Sequence, residues 1–188
     1  MTWEEFYKLN KIGIRFQDAS IDHLAEKLDP YLVEEAKKWC KQPTSLILTG
    51  NTGTGKTYFS FALVREAIRS CGLGQIRWVT SKHLDEELTQ AHSKFGDTSA
   101  TIEKFSEVPI LFIDDFGVDR GTEKAERDYY QIIDNRWSHN RLTCISTNLE
   151  PAIIKKLYGD RIHSRFKDFR WINFMDKDLR GADQDKRF

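Results

Sequence analysis

The sequence predicts an open three-layer α/β sandwich, a parallel sheet with helices over both faces. Three observations carry that prediction. Five short runs, at residues 45–49, 76–80, 110–113, 142–146 and 171–174, are apolar or β-branched on both faces, as strands of a sheet buried on two sides must be. Helical stretches separate each run from the next, and right-handed crossovers then lay helices on both sides of the sheet. The first run passes through a glycine-rich turn straight into a helical pattern, which is the context of a phosphate-binding loop.

The elements follow in order. Residues 1–16 mix Trp3, Phe6, Tyr7, Leu9 and Ile14 with basic side chains and are interrupted by Gly13, which predicts a short helix and an extended lead-in. Asp18-Ala19-Ser20 supplies an N-cap before Ile21, Leu24 and Leu28. Asp29-Pro30 then opens a second helix with Leu32, Val33, Ala36 and Trp39 inward, stopped by Pro43. After strand one and its turn, a helix carries Phe59, Phe61, Leu63, Val64, Ala67 and Ile68 inward until Gly72 and Gly74 end it. Strand two leads into a helix over 81–95, a loop at Gly96-Asp97-Thr98-Ser99 and a short helix over 100–105. Strand three ends in Asp114-Asp115. A helix over 122–138 puts Tyr129, Ile132, Ile133 and Trp137 at packing positions. Strand four, a helix from Glu150-Pro151, another over 160–167, strand five and a polar tail complete the chain. The expected organisation is a helical lead-in at 1–40, a core at 41–176 and a tail at 177–188.

At 188 residues the chain suits one domain, and 39% hydrophobic with 31% charged residues is a globular composition. The 29 basic side chains balance the 29 acidic ones, so overall charge gives no argument for nucleic acid, although from Pro151 onward ten Lys/Arg face six Asp. Cys40, Cys71 and Cys144 are odd in number and lack metal-type spacing, which predicts reduced, mostly packed thiols in a cytoplasmic protein. No signal sequence or membrane span is expected, and the five scattered histidines lack ligand partners.

Chemistry concentrates at the strand ends, where open α/β sheets bind ligands. Gly50-Asn51-Thr52-Gly53-Thr54-Gly55-Lys56-Thr57 is a Walker A motif. Its glycines let successive N–H groups turn onto phosphates, Lys56 reaches the β/γ oxygens, and the Thr57 hydroxyl is a ligand for Mg²⁺. The candidate nucleotide contacts run from Gly50 to Thr57 and on to Tyr58. Asp114-Asp115 reads as Walker B: Asp114 with Thr57 holds the hydrated metal, and Asp115 orients or deprotonates the attacking water. The alternative is an acidic turn before Gly117. In Ser146-Thr147-Asn148, Asn148 is suited to hydrogen-bond the γ-phosphate or the water, unless this is only a turn cap. Arg161 and Arg165 share one helical face, either as functional cations or salt-bridged to Asp160 or Asp168.

Taken in order, Walker A, residues 110–115, Ser146-Thr147-Asn148-Leu149, Tyr158-Gly159-Asp160-Arg161-Ile162-His163-Ser164-Arg165-Phe166 and Asp178-Leu179-Arg180 resemble the AAA+ ATPases of the DnaC/DnaI helicase-loader and IstB group. The similarity spans nearly the whole chain. It implies a five-stranded sheet in order 5-1-4-3-2, Asn148 as the sensor 1 residue, and Arg165, with Arg161 beside it, as an arginine finger for a neighbouring subunit. This sequence departs from that group in having Asp115 where many members have Glu, and Asp176 where Gly is common. It also has few residues before Ile14, too few for the loaders' separate helicase-binding domain.

The resemblance implies an Mg²⁺-dependent ATPase that self-associates with ATP, as an oligomer or spiral, and serves a replicative helicase. The rivals are an IstB-like transposition ATPase serving a transposase and a non-hydrolysing nucleotide-dependent module that binds a helicase. A small-molecule kinase is disfavoured, because no lid segment is evident. Weak, ATP-dependent binding of single-stranded DNA is expected from residues 81–105, where the resembled proteins place DNA-facing helices and loops and this chain has Lys82, His83, His92, Lys94 and Lys104, and from the basic excess after Pro151, with Phe166 and Phe169 as candidate stacking groups and Trp171 either a third or, as the start of a strand, a core residue.

Overall fold

The computed structural model describes residues 1–117 and 123–174, without the side chains of Lys27 and residues 123–125. The sheet is built from β1 (Leu46–Gly50), β2 (Ile76–Thr80), β3 (Ile110–Asp114), β4 (Leu142–Thr147) and β5 (Arg170–Phe174). All pairings are parallel, and the order is β2-β3-β4-β1-β5, as the resemblance implied. The helices are α1 (Trp3–Leu9), α2 (Ile21–Lys27), α3 (Pro30–Lys41), α4 (Lys56–Cys71), α5 (Ser81–Phe95), α6 (Ser99–Glu107), α7 (Glu123–Ser138) and α8 (Pro151–Phe166). Asp176, the motif Asp178-Leu179-Arg180, the tail and Thr122, the expected start of α7, lie outside the described residues.

Local chemistry sets the ends of these elements. Thr2 and Glu5 form a capping box on α1, Ser20 and Asp29 cap α2 and α3, and Pro30 occupies the first turn, where no amide donor is needed. The two helices expected after Glu150 meet end to end at Gly159, whose φ of 76° and ψ of 172° break the helical path inside α8.

The period of two along each strand divides the core into two layers. Leu46, Leu48, Trp78 and Phe112 face one side, where α1 to α4 contribute Phe6, Trp39, Phe59 and Phe61. Ile47, Val79, Leu111 and Ile113 face the other, against Leu84, Phe105, Tyr129, Ile133, Ile154 and Phe166 from α5 to α8. Phe166 and Phe169 are therefore core residues, which corrects their expected role as stacking groups for DNA, and Trp171 packs against the same layer, as expected of a residue that begins a strand. Of the three free cysteines Cys144 is buried and Cys40 half-buried, but Cys71 is exposed at the end of α4.

A buried guanidinium locks the amino ends of β3 and β4. Arg136 of α7 is fully buried and donates to the carbonyls of Phe105, Ser106, Val108, Pro109 and Leu142, at 2.5–3.3 Å, and to Thr143 Oγ1 at 2.8 Å. Burial, with some help from the charge of Arg141, pulls its pKa down to about 9, which still leaves it charged at neutral pH.

Candidate nucleotide site

The loop between β1 and α4 begins with a glycine that has no substitute. Gly50 pairs with Phe174 of β5 at φ 136°, and a Cβ there would stand 2.3 Å from the Phe174 carbonyl oxygen. Gly53 and Gly55 also have positive φ, and Gly55 opens α4 without a side-chain cap, so the helix's first amides are directed into the loop rather than to a capping oxygen. Lys56 is only 6% exposed, and its ammonium lies 2.7 Å from the carbonyls of both Gly50 and Asn51. Thr54 closes the loop by donating to the Asn51 carbonyl at 2.8 Å. Asn51 and Thr52 are exposed.

Across from the loop, β3 delivers Asp114, 3% exposed, to the first turn of α4. The Thr57 hydroxyl sits 3.2 and 3.0 Å from its two carboxylate oxygens. Ser146 of β4 donates to the same carboxylate. Burial, then the neighbouring charge of Asp115, raises the Asp114 pKa to about 6 against the opposing pull of Ser146, Thr57 and Lys56. Two hard oxygens converging beside an anion-binding loop fit Mg²⁺, which takes few protein ligands and completes its shell with phosphate and water. Among the described residues no cluster of three or more His, Cys, Asp or Glu is arranged for a metal.

Asp115 follows with its side chain exposed and its amide donating to Ser146 Oγ at 3.0 Å. Asn148 is exposed one residue beyond β4, where the Leu149 amide donates to Thr147 Oγ1 at 3.1 Å. Leu149 in turn packs on Gly117, so the turns after β3 and β4 touch. The structure thus brings the loop, Thr57, Asp114, Asp115 and Asn148 to one end of the sheet.

The side chains of the remaining expected site residues have other neighbours. Tyr58 is half-buried and packs on the layer of α1 to α4; burial and the charges of Asp18 and Glu26 raise its pKa. Arg161 stands 5.6 Å over the Tyr130 ring, and Arg165 lies 4.2 Å over Trp137 while donating to Asp134 at 2.7 Å. Arg165 therefore does form an ion pair, but with a different acid from the two on its own segment. Asp160 binds Lys155 instead, and Asp168 accepts the Trp137 indole N–H, which leaves Trp137 at 38% exposure as a surface platform. A groove of about 550 Å³ opens at the opposite end of the sheet, by Lys38, Lys41 and Arg170, but Glu35 pairs with Lys38 and Arg170 there and it contains none of the loop chemistry. Ser146 stands out in the sequence only as part of its tripeptide. Its bridge between the two acids depends on strand order, which no local pattern reveals.

The model of the family described as IstB-like ATP binding protein matches residues 4–164. This chain belongs to that family. A Pseudomonas fluorescens protein of insertion sequence IS1162, described as ATP-binding, is 28% identical over 162 residues, which cover 81% of this chain and 68% of the relative. A replicative helicase loader DnaC of Buchnera aphidicola subsp. Baizongia pistaciae is 27% identical over 180 residues, 88% of this chain and 72% of the loader. The crystal structure of a DnaC helicase loader matches with a TM-score of 0.74 at 18% identity, covering 87% of this chain and 100% of that one, a likeness of fold. The chain is an IstB-like ATP-binding protein with the fold of a DnaC helicase loader.

Proposed function

We propose that this protein is an Mg²⁺-dependent ATPase of the helicase-loader type, acting in the cytoplasm on or near DNA. The observation that carries the enzymatic half is the pairing of Thr57 with the buried Asp114 beside Lys56 and the Gly50–Thr57 loop, a set that needs a cationic ligand and a polyanion together. Lys56 and the loop amides hold the β- and γ-phosphates. Thr57 and Asp114 would hold Mg²⁺, which would supply neutralisation of phosphate charge. Asp115 accepts the proton of the water whose oxygen attacks the γ-phosphorus as the bond to the β-phosphate oxygen breaks. Asn148 steadies that water or the γ-phosphate. Arg165 serves a neighbouring subunit's site with Arg161 beside it, exchanging Asp134 for the phosphate.

The partner in this reading is a replicative helicase, supported by the DnaC relative. The insertion-sequence relative supports a transposase as the alternative partner. Lys82, His92, Lys94 and Lys104 are exposed on α5 and α6, and self-association with ATP multiplies their few phosphate contacts into useful affinity for single-stranded DNA. The three free cysteines suit the reducing cytoplasm, and among the described residues no helix is long and apolar enough to cross a membrane.

Two variants test the enzymatic reading. Lys56→Ala should abolish ATP binding measured by calorimetry, whereas Asp115→Asn should bind ATP normally and lose turnover by on the order of a hundredfold or more. Wild-type turnover in Asp115→Asn would mean that another group takes the proton from the attacking water.

A further inference from the structure

Asp115 occupies a backbone conformation that its side chain disfavours. Its φ is 54°, in the left-handed region. Lys11 and Asn140 share that sign, but both lie in exposed surface turns, whereas Asp115 sits between two buried residues at the end of a central strand. An Asp carboxylate hangs on only two torsions, so the main chain largely decides where it can reach. In an extended strand Asp115 would simply alternate with Asp114. The left-handed turn instead aims its side chain outward while Asp114 stays buried against Thr57.

Four hydrogen bonds fix that turn, three from β4 and one from the first residue of α5. From β4, Ser146 Oγ accepts the Asp115 amide at 3.0 Å, the Ser146 carbonyl accepts the Phe116 amide at 2.8 Å, and Thr147 Oγ1 donates to the Phe116 carbonyl at 2.7 Å. From the other side Ser81, the first residue of α5 after β2, donates its hydroxyl to the Asp115 carbonyl at 2.7 Å. Ser81 and Ser146 are both buried, and the Ser81 carbonyl accepts the Tyr129 hydroxyl at 3.1 Å, which ties the clamp to α7. The Ser146 hydroxyl proton goes to Asp114, so its lone pair is what receives the Asp115 amide.

We propose that Ser81 and Ser146 are positioning residues that pin Asp115 in its left-handed turn from opposite sides, so that its carboxylate stands where the attacking water must be held. The catalytic half of this rests on the function proposed above. The clamp itself does not, and the test separates the two.

Ser81→Ala is the cleaner probe, because Ser146 also serves Asp114. With ATP as substrate, Ser81→Ala should lower kcat on the order of tenfold to a hundredfold, the cost of a displaced reacting group, while the Kd for ATP stays the same. In the Asp115→Asn background the same change should cost little further turnover, because it acts through Asp115. A wild-type kcat in Ser81→Ala, or the same fold loss in both backgrounds, overturns the positioning role. Thermal unfolding without nucleotide supplies the independent arm. Glycine accepts positive φ freely, so Ser81→Ala should lower Tm by several degrees in the wild type and by clearly less in Asp115→Gly. Equal shifts in the two backgrounds overturn the clamp. If wild-type protein in its assembled form hydrolyses no ATP while that coupling in Tm is present, the catalytic half and the ATPase reading fail together and the clamp stands.

Discussion

The two ends of the sheet each bury a charge and hold it by opposite means. At the amino ends of β3 and β4, Arg136 is surrounded by five main-chain carbonyls and one hydroxyl, and those carbonyls cannot turn away without displacing the chain segments that carry them. At the carboxyl ends, Asp114 is held by the hydroxyls of Thr57 and Ser146, which reorient by rotation about one side-chain bond. A charge walled in by carbonyls fixes the architecture. A charge held by hydroxyls can exchange those partners for a ligand, and the cost of keeping it appears as the raised pKa of Asp114.

Arg136→Ala puts this contrast at greatest risk. It strands several buried carbonyls, each costing about 1–3 kcal/mol if unsatisfied, so the loss should reach roughly 4 kcal/mol or more by urea unfolding. A loss under about 1 kcal/mol would show that water replaces the guanidinium and that the two ends do not differ in kind.

The opposite sign is expected for Asp114→Asn, which keeps an oxygen to accept the same hydroxyls. The carboxyl's native pKa of about 6 lies above its ordinary 3.8, so between these values the folded protein binds more protons than the unfolded chain. Stability without nucleotide therefore falls as pH rises through that window, by up to about 2–3 kcal/mol, and stays level above it. Asp114→Asn should lack this slope and be the more stable protein at neutral pH, while losing stabilisation by Mg²⁺ and ATP. Denaturant titrations from pH 4 to pH 8, with and without nucleotide, read both effects; a variant less stable at neutral pH without nucleotide would refute the sign.

The smallest effect belongs to the surface pair. Asp134 and Arg165 are partly exposed, so Asp134→Ala should change stability by less than about 1 kcal/mol. A larger loss by the same unfolding assay would place that pair with Arg136 as architecture.

The fold was legible because buried strands, helix caps and glycine stops are local signals, and the strand bounds differ from expectation by only a residue or so at each end. Much of the site was legible for the same reason: the loop and Asp114 are contiguous motifs whose spacing carries their chemistry. Arg136 was not. It follows Ile132 and Ile133 by four and three residues, which puts it on the inward face, but its partners are mainly carbonyls and leave no trace in residue identity. The acid that holds Arg165 was missed because Asp134 lies on another helix, 31 residues away, and only tertiary packing brings the two together. Ser81 gave the signal of a helix start and nothing more.

The strand order also has a consequence in time. β1 leads directly into the phosphate loop, yet both of its neighbours are synthesised late: Thr143 of β4 bonds Ser45 across a separation of 98 residues, and Asn173 of β5 meets Thr49 across 124. At typical elongation rates a ribosome would hold Leu46-Ile47-Leu48 with both edges uncovered for roughly 5–20 s. During that interval the centre of the future sheet is an exposed apolar strand, the kind of segment that chaperones shield. The loop's first glycine reaches its close contact with Phe174 only after β5 emerges, so competence to bind nucleotide waits on the last strand of the sheet and can report that the sheet has closed.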